Sequence, residues 1–377
     1  MSDISPWWEQ WSPDNVTISD EDVPDSWKVC VIDGVYFGGN AYSGNLGARI
    51  SSVFVIFFVS TFFTLFPVIA SRVKRLRIPK YVYLFARYFG TGVIVATAFI
   101  HLLDPAYGEI GGSSCVGMTG HWADYSWCPA IILLTVFTIF LVDLISDVYV
   151  QKKYGIKHSH GDPISGAIVR EEGNVQFEGD RAELAIPDTS GSHDEKSLTK
   201  YDYTSDSSSE VVVKSFESQI AAFLILEFGV LFHSVMIGLN LGTTDDEFST
   251  LYPVLVFHQS FEGLGIGARL SAIPFPEGKK WWPYLLCLAY GLTTPICVAI
   301  GLGVRHTYDG NSFVVNIVSG VLDAISAGVL IYTGLVELLA RDFIFDEERT
   351  NNVWLLTFMI GCTLLGAGLM ALLGKWA

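Results

Sequence analysis

The chain of 377 residues is 50% hydrophobic, 14% aromatic and only 16% charged, with a mean hydropathy of +0.41. Soluble domains carry roughly 25% charged residues, so this composition excludes an ordinary cytosolic enzyme, a collagen-like chain and a disordered protein and points to a polytopic membrane protein. The net charge of −16 argues against a nucleic-acid partner. The excess acids sit in two segments, with eight acids and one Lys in 1–47 and thirteen acids against eight Lys or Arg in 151–217.

The tail, residues 1–47, has no apolar core region of the kind a cleavable signal needs, so the first span is expected to act as the signal anchor. Its Asn15-Val16-Thr17 is the one N-x-[ST] sequon in the chain and a glycosylation acceptor if the tail is extracellular. The acids of this tail either gather cations near the surface or keep a glycosylated tail solvated. A bilayer crossing needs about 20 apolar residues. Eight stretches meet that length, at 50–70, 81–103, 129–149, 218–241, 252–273, 283–303, 313–340 and 353–374, which predicts an all-α membrane protein with eight transmembrane helices. The fourth and seventh contain acids and are the least uniform. Trp127, Trp281, Trp282 and Trp354 mark interfacial flanks. Residues 151–217, polar, acidic and Ser-rich, read as a disordered cytoplasmic loop between helices 1–3 (48–150) and helices 4–8 (218–377).

Lys and Arg set the orientation. Arg72, Lys74, Arg75, Arg77 and Lys80 follow the first span, and Lys152, Lys153 and Lys157 the third. Lys279 and Lys280 follow the fifth, and Arg341 and Arg349 the seventh, while loops 104–128 and 242–251 have neither residue type. Both termini are therefore predicted outside, and the sequon agrees. Six Cys are too few for a disulfide scaffold. Cys30, Cys115 and Cys128 nevertheless all fall on the outer side, where a disulfide persists. Cys115–Cys128 is the expected pair, leaving Cys30 over.

Ionisable side chains at bilayer depth cost several kcal/mol and mark a site or a pathway by default. His233 and Asn240 share one face of the fourth span, and His258 and Glu262, four residues apart, share one face of the fifth. At 1.5 Å per residue His233 lies roughly 12 Å, His258 about 9 Å and Glu262 about 15 Å from the outer ends of their spans. Two imidazoles and a carboxylate at one level suit zinc and other first-row divalent ions. The bland alternative has His233 hydrogen-bonded across to Ser or Asn as helix glue. Gly263, Gly265 and Gly267 fit close helix packing. Pro295 is either a tolerated kink or one that frees carbonyls near the site.

His101 and Asp104 close the second span before Pro105, either as a cation's outer mouth or as an ordinary interfacial helix end. Asp323 lies deep in the seventh span. Glu337, fourteen residues on and nearly on the same face, serves an exit or snorkels to the surface. In the loop, His158 and His160 form a weak metal signal. No H-E-x-x-H, Walker A or G-x-S-x-G sequence is present, so protease, ATP-driven pump and serine-hydrolase signatures are missing.

His233-Ser234-Val235-x-x-Gly238-x-Asn240 and His258-Gln259-x-x-Glu262-Gly263 resemble the ZIP (zinc- and iron-regulated transporter-like) family. Asn45-Leu-Gly-Ala-Arg-Ile-Ser-Ser, Ala98-Phe-Ile-His101-Leu, Gly291-Leu-Thr-Thr-Pro-Ile and Asp323-Ala-Ile-Ser-Ala-Gly328 are similar to its fungal and plant branch. The tail from Pro6-Trp7-Trp8 is similar to fungal plasma-membrane zinc importers. The resemblance implies a three-plus-two-plus-three arrangement with an inverted repeat around helices 4 and 5, and family members often dimerise. It implies His233, His258 and Glu262 as ligands of the transported ion. Ser234, Gln259 and Thr294 fall where some prokaryotic members hold a second ion, and their weaker donors imply a single site here. Glu337 falls where members carry cytoplasmic-side ligands.

The resulting expectation is a plasma-membrane importer of zinc, with Fe2+ or Cd2+ as further substrates. Two other classes stand against it: a zinc-dependent intramembrane hydrolase or receptor, and a metal sensor with the acidic loop as output. No general acid or base beside the ligands favours the hydrolase.

Overall fold

The computed structural model describes residues 19, 21–35, 42, 44–73, 79–154, 206–244, 247–307, 309–345 and 350–376. Asn15, His158 and His160 lie outside them. Among the described residues there is no strand. A short helix, Asp25–Ile32, precedes eight long ones. These are α1 (Leu46–Arg72), α2 (Lys80–Ile110), α3 (Trp127–Tyr154), α4 (Asp206–Thr243), α5 (Phe248–Ala272), α6 (Trp282–Val304), α7 (Phe313–Phe345) and α8 (Val353–Leu373).

Seven of these helices, all but α5, contain a stretch long and apolar enough to cross a membrane. The 25 residues of α5 have the length, about 37 Å at 1.5 Å per residue. They lack the hydropathy because His258, Gln259, Glu262 and Arg269 interrupt the apolar run. The helix tolerates them because it packs between α1 and α2 rather than facing lipid. Glycines make that packing close. A Cβ on Gly265 would stand 2.6 Å from the Cα of Gly90, so α5 and α2 touch backbone to backbone. By contrast the apolar part of α3 is only 11% buried, against 78% in α2, so α3 is peripheral and α2 central.

Side-chain caps begin two helices: Ser312 Oγ accepts from Val315 N, and Asn352 Oδ1 accepts from Trp354 N and Leu355 N. Two helices change pitch. Thr97–Leu103 in α2 and Thr333–Phe345 in α7 are π-helical, a form that recurs at functional sites. The first corrects the expected helix end. The π-turn shifts the hydrogen-bond register just ahead of Pro105, and the helix passes the proline and runs on to Ile110.

The bundle is laid out around α1 and α6, which pack on each other. On one side α1 packs on α5, α5 on α2 and α2 on α8; on the other α6 packs on α4, α4 on α7 and α7 on α3. Exchanging α1 with α6, α2 with α7, α3 with α8 and α4 with α5 maps each contact onto another. The two π-segments exchange with one another. Direct contact between α4 and α5 is slight.

The two ends of the bundle differ chemically. At one end Arg72 lies over Phe275 and Tyr284, and Lys279 over Phe216 and Trp282. On the same side Arg87 of α2 pairs with Asp342 of α7 at 3.0 Å, and Arg269 of α5 stands 3.9 Å from that carboxylate and donates to Thr91 Oγ1 at 2.9 Å. At the other end Cys30 and Cys115 form a disulfide, and Cys128 is a free, buried thiol. The expected Cys115–Cys128 pair is thus corrected. Helix Asp25–Ile32 carries Cys30 into a cluster with Val35 and Cys115. Cys128, at the start of α3, instead packs among Ala106, Ile110, Val116 and Ala324. Asp33 reinforces the tether, accepting from Cys115 N through its side chain and from Asn311 Nδ2 through its carbonyl.

Peptide mapping without reductant is expected to join the Cys30 and Cys115 peptides and to leave Cys128 unlinked. A Cys115–Cys128 peptide would overturn this assignment.

Candidate metal centre

The site is built where α4 and α5 meet. His258, Gln259 and Glu262 lie on one turn of α5, and His233 and Ser234 come from α4. All five are buried, with Gln259 and Glu262 at 0% exposure. His233 Nε2 stands 3.4 Å from His258 Nε2, and His258 Nε2 stands 3.9 Å from Glu262 Oε2. The structure therefore brings the three candidate ligands side by side. As they stand, no group of three or more His, Cys, Asp or Glu among the described residues is arranged around one point as metal ligands.

Surrounding polar groups orient the carboxylate and the amide. Tyr290 OH on α6 is 3.1 Å from Glu262 Oε2 and 3.1 Å from Gln259 Oε1. Its single proton serves one of them at a time. Ser60 Oγ of α1 also donates to Gln259 Oε1 at 3.3 Å, and Gln259 Nε2 donates to Thr294 Oγ1 at 3.1 Å. Gln259 is thus engaged at both ends. Glu262 is not: its Oε1 is buried with no hydrogen-bond partner, and its one basic neighbour within 4.0 Å among the described residues is His258. A buried carboxylate with a bare oxygen and no fixed cation is costly unless a cation or a proton completes it.

His101 is not at the mouth where the helix end was expected. Because α2 continues to Ile110, the imidazole lies deeper, 8% exposed, with its ring centroid 4.9 Å from that of His258 and 6.4 Å from that of His233. Its Nε2 stands 3.2 Å from the carbonyl of Met370 on α8. Three imidazoles from three helices therefore converge.

A cavity of about 550 Å³ leads from the disulfide end to these rings, lined by Asp33, Asp104, Asn240, Asp323 and the three histidines among others. Asp104 is exposed at its wall and Asp323 is 5% exposed. Glu337 lies elsewhere, about 21 Å further along α7 than Asp323, where it pairs with Arg341 on the π-segment. Asp143 of α3, nearby, accepts from Tyr332 OH at 2.8 Å. Two functional-site neighbours escaped the sequence, Tyr290 and Glu109. A tyrosine far from either interface was the available signal for the first.

Membrane-length helices, imidazole and carboxylate groups buried among them, and a cavity reaching the imidazoles from one end define a membrane transport protein for cations. Comparison with known proteins specifies the class. The family model described as ZIP Zinc transporter matches residues 46–374. Zinc-regulated transporter 1 of Saccharomyces cerevisiae is 65% identical over 379 residues, covering 100% of both chains. Zinc-regulated transporter 1 of Schizosaccharomyces pombe is 38% identical, covering 89% of this chain and 86% of its own. Zinc transporter 5 of Oryza sativa is 27% identical, covering 88% of each. No solved structure matches the chain. The chain belongs to the ZIP zinc transporter family. It is a transporter and not an enzyme, which removes the hydrolase alternative.

Tyr290→Phe removes the shared donor while keeping the ring. It is expected to lower zinc uptake roughly tenfold, the equivalent of one lost charge-assisted hydrogen bond, at unchanged surface protein. Uptake and surface labelling of the same cells check it.

Proposed function

We propose that this zinc transporter imports its ion across the plasma membrane into the cytoplasm through His233, His258 and Glu262, with His101 beside them. The spacing of His233 and His258 is the observation that carries the proposal. Two imidazole nitrogens bound to one tetrahedral zinc at about 2.0–2.1 Å stand about 3.3 Å apart, and here they stand 3.4 Å apart. The carboxylate stands 3.9 Å from His258 Nε2 and would have to move closer to join the same ion. Its bare Oε1 supplies a further acceptor. Iron(II) and cadmium share this ligand chemistry and enter the proposal as competing substrates.

Orientation follows from the two ends of the bundle. A disulfide persists in an oxidising compartment, and Cys30–Cys115 frames the open end. The cationic end carries Arg72 and Lys279, as a cytoplasmic end does. All eight long helices are read as crossing, α5 inside the ring of the others, which puts both termini outside. The exchange symmetry of the packing supports a three-plus-two-plus-three inverted repeat, the arrangement that lets two halves rock about a fixed site. The exposed apolar face of α3 is covered by lipid or, in a homodimer, by a second copy.

The ion enters by way of Asp104, sheds water on reaching the imidazoles, and leaves toward Glu337. Radioactive zinc uptake into cells lacking their own zinc importers tests the route. At matched surface levels the unaltered chain is expected to show saturable uptake and Glu262→Gln to lose it at least about a hundredfold, since removal of a buried charged ligand costs roughly 3 kcal/mol or more. Full uptake by Glu262→Gln would sink the route.

A further inference from the structure

One wall of the cavity holds a second set of acids that the histidine cluster does not use. Glu109, in the last turn of α2, accepts from Ser319 Oγ of α7 at 2.6 Å. Asp323 lies one turn further along α7 than Ser319, so it shares that face with the partner of Glu109, and both acids line the same cavity. Gly320 makes the approach possible: a Cβ there would stand 2.7 Å from Ile110 Cγ2 and 3.1 Å from Glu109 Cβ. Each acid keeps one oxygen, Glu109 Oε2 and Asp323 Oδ1, buried without a hydrogen-bond partner. Asp323 is 5% exposed, both residues line the cavity, and no Lys or Arg stands within 4.0 Å of either among the described residues.

Two like charges on one cavity wall, each with a bare oxygen and no fixed counter-charge, are unfavourable unless something positive joins them. The available cation is the one the cavity conducts. We propose that Glu109 and Asp323 form an outer cation site that takes a divalent metal ion before it reaches the inner cluster; this rests on the import route proposed above. The donors are hard oxygens, so the ion is held here with most of its water. His101 lies eight residues before Glu109 on the same helix, about 12 Å inward, and marks the transition from oxygen to nitrogen donors. Selection then occurs in two stages, charge first on α2 and α7 and nitrogen affinity second on α4 and α5. The competing account is a carboxyl pair that shares one proton and locks α2 on α7.

Equilibrium dialysis with radioactive zinc counts the ions bound per full-length chain, purified without a polyhistidine tag. Glu262→Gln removes the inner ion. Adding Glu109→Gln and Asp323→Asn to that variant is expected to lower the count by one further ion, and an unchanged count overturns the outer site in favour of the proton-locked pair. In uptake at matched surface levels, Glu109→Gln with Asp323→Asn is expected to raise the half-saturating zinc concentration roughly tenfold while keeping the maximal rate. A fall in maximal rate at unchanged half-saturation overturns the proposal as well. If Glu262→Gln alone transports fully, the inner route fails, while the dialysis difference still decides the outer site.

Discussion

Inside the hydrocarbon layer no water is at hand to satisfy a polar group, so every buried donor or acceptor must find its partner within the protein. That constraint organises the bundle around α5. The helix gives up its own hydropathy to carry His258, Gln259, Glu262 and Arg269, and other helices must keep it from lipid. α1 and α2 enclose it, and Gly90 and Gly265 let α2 come close enough to exclude side chains between them. The polar groups that line α5 come from all sides: Ser60 from α1, Thr91 from α2, and Tyr290 and Thr294 from α6. Gln259 is fully engaged by them and Glu262 is left one oxygen short. The deficit sits behind His258, which the cavity reaches.

Composition and charge spacing made the membrane class legible, because twenty-residue apolar runs and clustered cations are properties of the chain alone. The pairing of His258 with Glu262 was equally legible, since four residues make one helical turn. What the sequence hid were properties of three-dimensional register. Pro105 read as a helix stop, and the π-turn at Thr97–Leu103 carries α2 past it, which sets His101 further from the helix end by about two turns. Cys128 lies nearer to Cys115 in sequence than Cys30 does, and the separation of 85 residues between the bonded pair says nothing about their proximity. Tyr290 and Glu109 acquire their meaning from helices far away in the chain. The helix on which the site depends, α5, is also the one of the eight whose averaged hydropathy falls short of a membrane crossing, and it falls short for the same side chains that make it a site.

The two ends of the bundle are held by different chemistry. The disulfide and Asp33 tie the N-terminal segment, the end of α2 and the α6–α7 loop around the open end. At the opposite end Arg87, Asp342 and Arg269 join α2, α7 and α5. A covalent tether does not open during transport, whereas an ion network can be remade. On the proposed route the ion must leave past the second end, so the network there is the part that has to change. Its central carboxylate belongs to the π-segment of α7, and one of its cations to the helix that carries Glu262. Arg269 thus links the helix that carries Glu262 directly to that network.

In the proposed site the same economy of charge lets a bound ion leave: two neutral imidazoles and one carboxylate would leave a divalent ion with a net charge of about +1, held less firmly than a closed site would hold it. A further strong ligand at Gln259 would deepen the well. The amide there instead spends its oxygen on Ser60 and Tyr290 and its nitrogen on Thr294, so the space beside Glu262 is filled by hydrogen bonds internal to the protein. Of Ser234, Gln259 and Thr294, the last two thus hold α5 and α6 in register beside the proposed ligands.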